Sequence, residues 1–107
     1  MTDDQRKALK SLEFLKSLNL DATLVWLYTK GVLQESHVER IEAKKRTEGL
    51  TAARFLLLRI LPTRGEKAFF EFYSCLLSKD GANQRNLADL LVSALPSNFD
   101  LVLLQNV

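Results

Sequence analysis

The chain has 107 residues, 47% of them hydrophobic and 26% charged, with 15 Lys and Arg against 13 Asp and Glu. That length suits one domain, and a chain of this size buries roughly 65% of its unfolded surface, so it needs neither a metal nor a disulfide to fold. The formal net charge of +2 is too small to imply nucleic acid or an anionic membrane as partner, and the single cysteine, Cys75, cannot form an internal disulfide.

From the N-terminus, "MTDDQRKALK" is charged throughout, unlike a secretory signal, and no apolar run is long enough to span a bilayer. With the lone thiol, this places the protein in the cytoplasm as an expectation. In "DDQRKALKSLEFLKSL" the residues Leu9, Leu12 and Leu15 recur at about one turn, with Phe14 and Leu18 widening the stripe of a first helix. Asp3 and Asp4 lie where a helix N-terminus favours negative charge. Asp21 reads as the N-cap of a second helix, "ATLVWLYTK", which Gly31 closes. "SHVERIEAKK" forms a third, polar helix, with Ser36 to Glu39 in capping-box form. "AKKRTEG" reads as a long basic connection onward. The fourth segment, "TAARFLLLRIL", is apolar on nearly every side, as for a central helix packed against several neighbours.

Pro62 ends that helix, since the residue before a proline is driven from helical geometry. Thr63-Arg64-Gly65-Glu66 has the Thr-x-x-Glu form of a capping box and predicts a fifth helix, "EKAFFEFYSCLLSK". "DGAN" breaks it. "QRNLADLLVSALP" repeats the pattern with Leu87, Leu90, Leu91 and Ala94, until Pro96 stops it. No alternating strand-like segment precedes residue 98. Residues 1–96 are expected to form one all-α, six-helix antiparallel bundle, with 97–107 as a tail whose "LVLL" is ambiguous.

Catalytic readings fail on residue supply. "RGEK" lacks the Gly-rich spacing and preceding strand of a phosphate loop. Cys75 sits in an aromatic-rich helix, and the one histidine, His37, belongs to another, so a Cys–His pair is not expected. One His and one Cys cannot furnish a metal set. Neither an enzyme nor a cofactor site is expected. A helix-turn-helix spanning "LVWLYTKGVLQESHVERIEAKKR" would place Glu35, Glu39 and Glu42 against phosphates, which repels nucleic acid. What remains is charge separation. Arg6, Lys7, Lys10 and Lys16 lie on helix one and Arg54 and Arg59 on helix four, while Glu35, Glu39 and Glu42 form a row on helix three with Asp21 nearby. A body with separate basic and acidic faces can dock head to tail on its own kind.

The stretch "LLLRILPTRGEKAFFEFYSCL", with Leu61-Pro62-x-Arg64-Gly65-x-x-Ala68-Phe69 followed by Phe72, and the stretch "WLYTKGVLQESHVERI" resemble the caspase-recruitment domain (CARD), a six-helix member of the death-fold superfamily. The likeness runs from about residue 3 to residue 95 and leans toward CARDs of apoptotic adaptors and initiator-caspase prodomains. It implies a non-catalytic protein-interaction module that recruits CARD-containing partners in apoptotic signalling, an initiator caspase or its adaptor foremost, with self-association open. It also implies a basic face of Arg6, Lys10, Arg54 and Arg59, an acidic face of Asp21, Glu35, Glu39 and Glu42, and Arg64 either at a second interface or bracing its corner. Reversing the charge of Arg54 should then abolish recruitment and leave the fold intact. The alternatives are a CARD of an innate-immune pathway and, further off, a small nucleic-acid-binding domain using the basic connection.

Overall fold

A computed structural model describes residues 1–10 and 16–95. It contains six α-helices among those residues: α1 (Asp3–Leu9), α2 (Leu20–Thr29), α3 (Glu35–Glu48), α4 (Leu50–Ile60), α5 (Lys67–Leu77) and α6 (Arg85–Ser93), with a 3-10 turn at Leu61–Thr63 after α4. No strand occurs among the described residues, and the all-α, six-helix death fold is the architecture expected from the residue pattern. Residues 16 and 17 are helical as well. Leu12, Phe14 and Leu15 of the expected first stripe, Pro96 and the tail 97–107 lie outside the described residues.

The helix starts follow local chemistry, though not always at the expected residue. Thr2 and Gln5 form a capping box on α1, with Asp3 and Asp4 in its first turn. Asn19, not Asp21, caps α2: its side-chain oxygen accepts from the Ala22 N–H at 3.2 Å, and Asp21 falls within the first turn. Four donors are orphaned at any helix start, and the chain uses whichever nearby acceptor reaches them. On α3 the box is Gln34 with His37, two residues before the expected Ser36. On α5 the Thr63 box does not form. Thr63 instead donates to the Ile60 carbonyl at 2.6 Å, holding the 3-10 turn, and α5 begins only at Lys67. Gly65, at φ +95°, lets the backbone turn the corner between them.

The largest departure is at "AKKRTEG". It is no connection: α3 continues through Glu48, and Gly49 alone joins α3 to α4. Lys, Arg, Glu and Ala are strong helix formers, and the Lys44–Glu48 ion pair spaces its partners one turn apart. α3 and α4 are accordingly the most extensively packed pair of helices.

The core lies where the apolar stripes converge. Leu9, Leu18, Leu27, Ile41, Leu57, Leu61, Phe69, Phe72, Leu76, Leu87 and Leu91 are the largest wholly buried side chains. Every helix contributes, α3 only through Ile41, which is why its remaining surface is free to carry charge. α4 is less uniformly buried than its composition suggests. Ala53, Leu57, Leu58 and Ile60 point inward, whereas Thr51, Phe55 and Arg59, four residues apart, share an exposed row.

Gly49 holds φ +98° and ψ 173°, a region only glycine enters readily, and a Cβ there would meet nothing within 4 Å. Gly49→Ala should therefore lower unfolding stability by about 1–3 kcal/mol through backbone strain alone, read as a reduced urea midpoint with an unchanged slope.

Candidate functional site

The exposed row of α4 faces α1 across a groove of about 580 Å³ lined by Arg6, Leu9, Lys10, Phe55, Leu58, Arg59 and Pro62. Three of the four expected basic-face residues, Arg6, Lys10 and Arg59, meet here. α1 supplies the first two from its outer side, because Ala8 and Leu9 turn inward. Arg6 is held at 2.8 Å from Asp3 by an exposed ion pair of little energetic weight. Phe55 lines the groove, 50% exposed, with the Arg59 guanidinium 5.6 Å from its ring centroid. An exposed aromatic beside cations is a common anchor at protein interfaces, since it buries area while the cations steer a partner. The segment "TAARFLLLRIL" reads as apolar on nearly every side, as for a central helix, and does not single out Phe55 as exposed. The four-residue spacing Thr51–Phe55–Arg59 was the available clue, because it places Phe55 on one stripe with a polar and a charged residue.

Arg54 behaves differently. It is half-buried, its Nε donating to the Leu18 carbonyl at 2.8 Å and its Nη1 to the Lys16 carbonyl at 3.1 Å. These carbonyls close the helical turn at residues 16 and 17, where orphaned acceptors and the helix dipole both favour a cation. Gln84 clamps the same corner from α6: its amide Nε2 donates to the Ser17 carbonyl at 2.6 Å and its Oε1 accepts the Asn19 N–H at 2.7 Å. Arg54 thus joins α4 to the strap between α1 and α2. A carboxylate at this position would face two carbonyl oxygens, so the expectation of an untouched fold after charge reversal does not survive this geometry.

The acidic residues lie on α2 and α3. Glu35 and Glu39 are exposed and Glu42 is half-buried. Their spacing puts them on one face of α3, and none is in an ion pair among the described residues. Arg46, one turn beyond Glu42, ends the row with opposite charge. Asp21, on α2, pairs with Lys45 of α3 at 3.3 Å. Val25 and Tyr28, 67% and 51% exposed, continue the Asp21 face of α2 at i+4 and i+7. Both expected faces therefore combine charge with exposed apolar surface. Of Lys44, Lys45 and Arg46, the first two are engaged with Glu48 and Asp21, which removes most of the basic character on which a nucleic-acid reading rested.

Arg64 is half-buried, its Nε donating to the Val32 carbonyl at 2.9 Å. This bond ties the corner after α4 to the turn between α2 and α3 and supports the bracing role. Cys75 is buried; burial pushes its thiol pKa upward, only partly offset by the Ala82 backbone and the Thr23 hydroxyl. A protonated, enclosed thiol is a poor nucleophile. His37 is committed elsewhere: its Nδ1 accepts the Gln34 N–H at 3.0 Å. Desolvation, then the nearby Arg64 and Arg40 charges, hold its pKa below the ordinary imidazole value.

The family model "Caspase recruitment domain" matches residues 5–92, and the chain belongs to that family. A CARD is a protein-interaction module that engages other CARD-containing proteins, and the grooved basic face and separate acidic face are surfaces suited to that task. No solved structure matches the chain. Among the described residues, no helix is long and apolar enough to cross a membrane.

Two measurements check these assignments. Arg54→Glu should lose about 1–3 kcal/mol of stability, because two charge-assisted hydrogen bonds at a half-buried site break and a carboxylate then faces carbonyl oxygens; Arg54→Lys, retaining one cation, should lose less in the same denaturant titration. His37 is neutral in the cap and charged more easily when unfolded. Its contribution is fully present above about pH 6.5 and is lost as pH falls through the depressed folded value. His37→Ala should cost about 1 kcal/mol at pH 8 and flatten the decline in melting temperature between pH 7 and pH 5.

Proposed function

We propose that this CARD recruits an initiator caspase or its adaptor by homotypic docking in apoptotic signalling, inside the cytoplasm. Its basic groove of Arg6, Lys10 and Arg59 accepts the acidic row of a partner, and its own Asp21, Glu35, Glu39 and Glu42 offer the reciprocal face. The observation that carries this reading is the groove itself: Arg6, Lys10 and Arg59 line it together with a half-exposed phenyl ring, while Glu35, Glu39 and Glu42 on α3 are in no ion pair among the described residues. The likeness of "WLYTKGVLQESHVERI" and the Arg64-Gly65 corner to the CARD of the adaptor RAIDD, and to initiator-caspase prodomains, supports the apoptotic assignment. Arg54 supports docking indirectly by setting α4 against the strap that follows α1.

Each ion pair in such an interface is weak and screened by salt. Specificity then depends on several pairs acting at once around an apolar centre. A chain with both faces can also bind its own kind head to tail, an arrangement that does not close on itself unless the rotation permits.

The test uses Lys10→Glu and Phe55→Ala against an initiator-caspase CARD prodomain. Each should weaken binding by about tenfold or more, the cost of one interface hot-spot contact, while circular dichroism remains unchanged. Binding of the unaltered chain should fall steeply as ionic strength rises. Undiminished binding by both variants would remove the groove from the interface. In self-association, Lys10→Glu and Glu39→Lys copies should each fail alone and pair when mixed.

A further inference from the structure

Arg59 lines three concavities, one of them beside Lys44 and Glu48; the other two bear on docking and anion binding. One is the docking groove. The other is a shallow recess of about 330 Å³ lined by His37 and Arg40 of α3, by Leu56, Arg59 and Ile60 of α4, and by Thr63 of the 3-10 turn. Every ionisable side chain lining it is basic. Arg40 and Arg59 are exposed, and neither is in an ion pair among the described residues. The third basic group is fixed in its tautomer. Because His37 Nδ1 accepts the Gln34 N–H, the ring proton belongs on Nε2, which is left as a donor. Arg64 lies near enough to add its field, since it and Arg40 both disfavour the charged imidazole.

This donor set selects among anions. Two permanent guanidinium charges are balanced by a dianion, whereas a single carboxylate leaves one uncompensated. Forked guanidinium donors and a separate imidazole N–H match the several oxygens of a tetrahedral group better than the two of a planar one. Thr63 adds no donor, because its hydroxyl is given to the Ile60 carbonyl. Leu56 and Ile60 supply apolar wall, and the volume is at the small end of ligand sites.

We propose that the recess binds the phosphoryl group of a small, soluble phosphate monoester, held by Arg40, Arg59 and the Nε2–H of His37. Such a ligand engages a cation that also lines the docking groove, so, on the docking function proposed above, it competes with a CARD partner.

The experiment follows the His37 imidazole resonances of the 107-residue chain without any partner, so its outcome is independent of docking. Inorganic phosphate and glucose 6-phosphate are titrated at constant ionic strength, with sodium chloride and sodium acetate as matched controls. Both phosphates should give saturable shifts and raise the His37 pKa, since a bound dianion favours the imidazolium. Arg40→Gln and Arg59→Gln should each weaken binding by roughly tenfold, whereas Lys67→Gln, on α5 away from the recess, should leave it unchanged. Amide spectra of each variant confirm the fold. Equal responses to acetate and phosphate, exclusion of glucose 6-phosphate, or full binding by Arg40→Gln would overturn the proposal.

Discussion

The corner at residues 16–19 is the constraint on which the interaction surface depends. Four backbone groups there, the carbonyls of Lys16, Ser17 and Leu18 and the N–H of Asn19, are each met by a side chain from a distant helix: Arg54 of α4 or Gln84 at the start of α6. Backbone polar groups at a helix end need partners, and here side chains supply them even though Lys16, Ser17 and Asn19 are exposed and only Leu18 is buried. By meeting that demand with one arginine and one glutamine, the fold positions α4 and α6 together against the first helical strap. The groove between α1 and α4 is lined by Leu9 and Leu58 from those two helices, and α4 is held in addition by the Arg54 bonds to the Lys16 and Leu18 carbonyls.

The same anchoring sorts the arginines into different duties. Arg54 and Arg64 spend their Nε donors on carbonyls far away in sequence, whereas Arg59 remains exposed beside Phe55. A guanidinium has enough fixed donors to brace a loop and still contribute positive potential, so the bracing residues can support the basic face without forming its contact surface. The acidic side has a comparable division. Asp21 is tied to Lys45 across α2 and α3, and the α3 row stands clear of such ties.

Much of the bundle was legible in the residue pattern. The apolar spacing of α2, α5 and α6 and the turn at Gly65 follow from local sterics and hydrophobic period. α4 does end just before Pro62, but not for the expected reason, since Leu61 keeps helical dihedrals (φ −49°, ψ −47°) and Pro62 lies within the 3-10 turn that follows. The long α3 was not legible as such. "AKKRTEG" contains helix formers and a terminal glycine, but its clustered charge suggested a loop, and only packing against α4 reveals fourteen residues of helix ended by Gly49. The capping residues Asn19 and Gln34 were also missed, because caps are decided by which acceptor lies within reach, and several candidates lay within three residues of each start.

The amino-acid sequence by itself determined the all-α class, the interior residues of most helices and the kinship with caspase recruitment domains. These are properties of composition and short-range order, in which the relevant residues lie within one or two helical turns. Only the tertiary structure decided that Arg54 is a brace while Arg59 is presented outward, that Phe55 is half-exposed in a groove it shares with Arg6, Lys10 and Arg59, and that His37, Arg40 and Arg59 line one recess. Those facts depend on the rotation of each helix about its axis and on contacts across dozens of residues, and neither is encoded in the period of a single stripe.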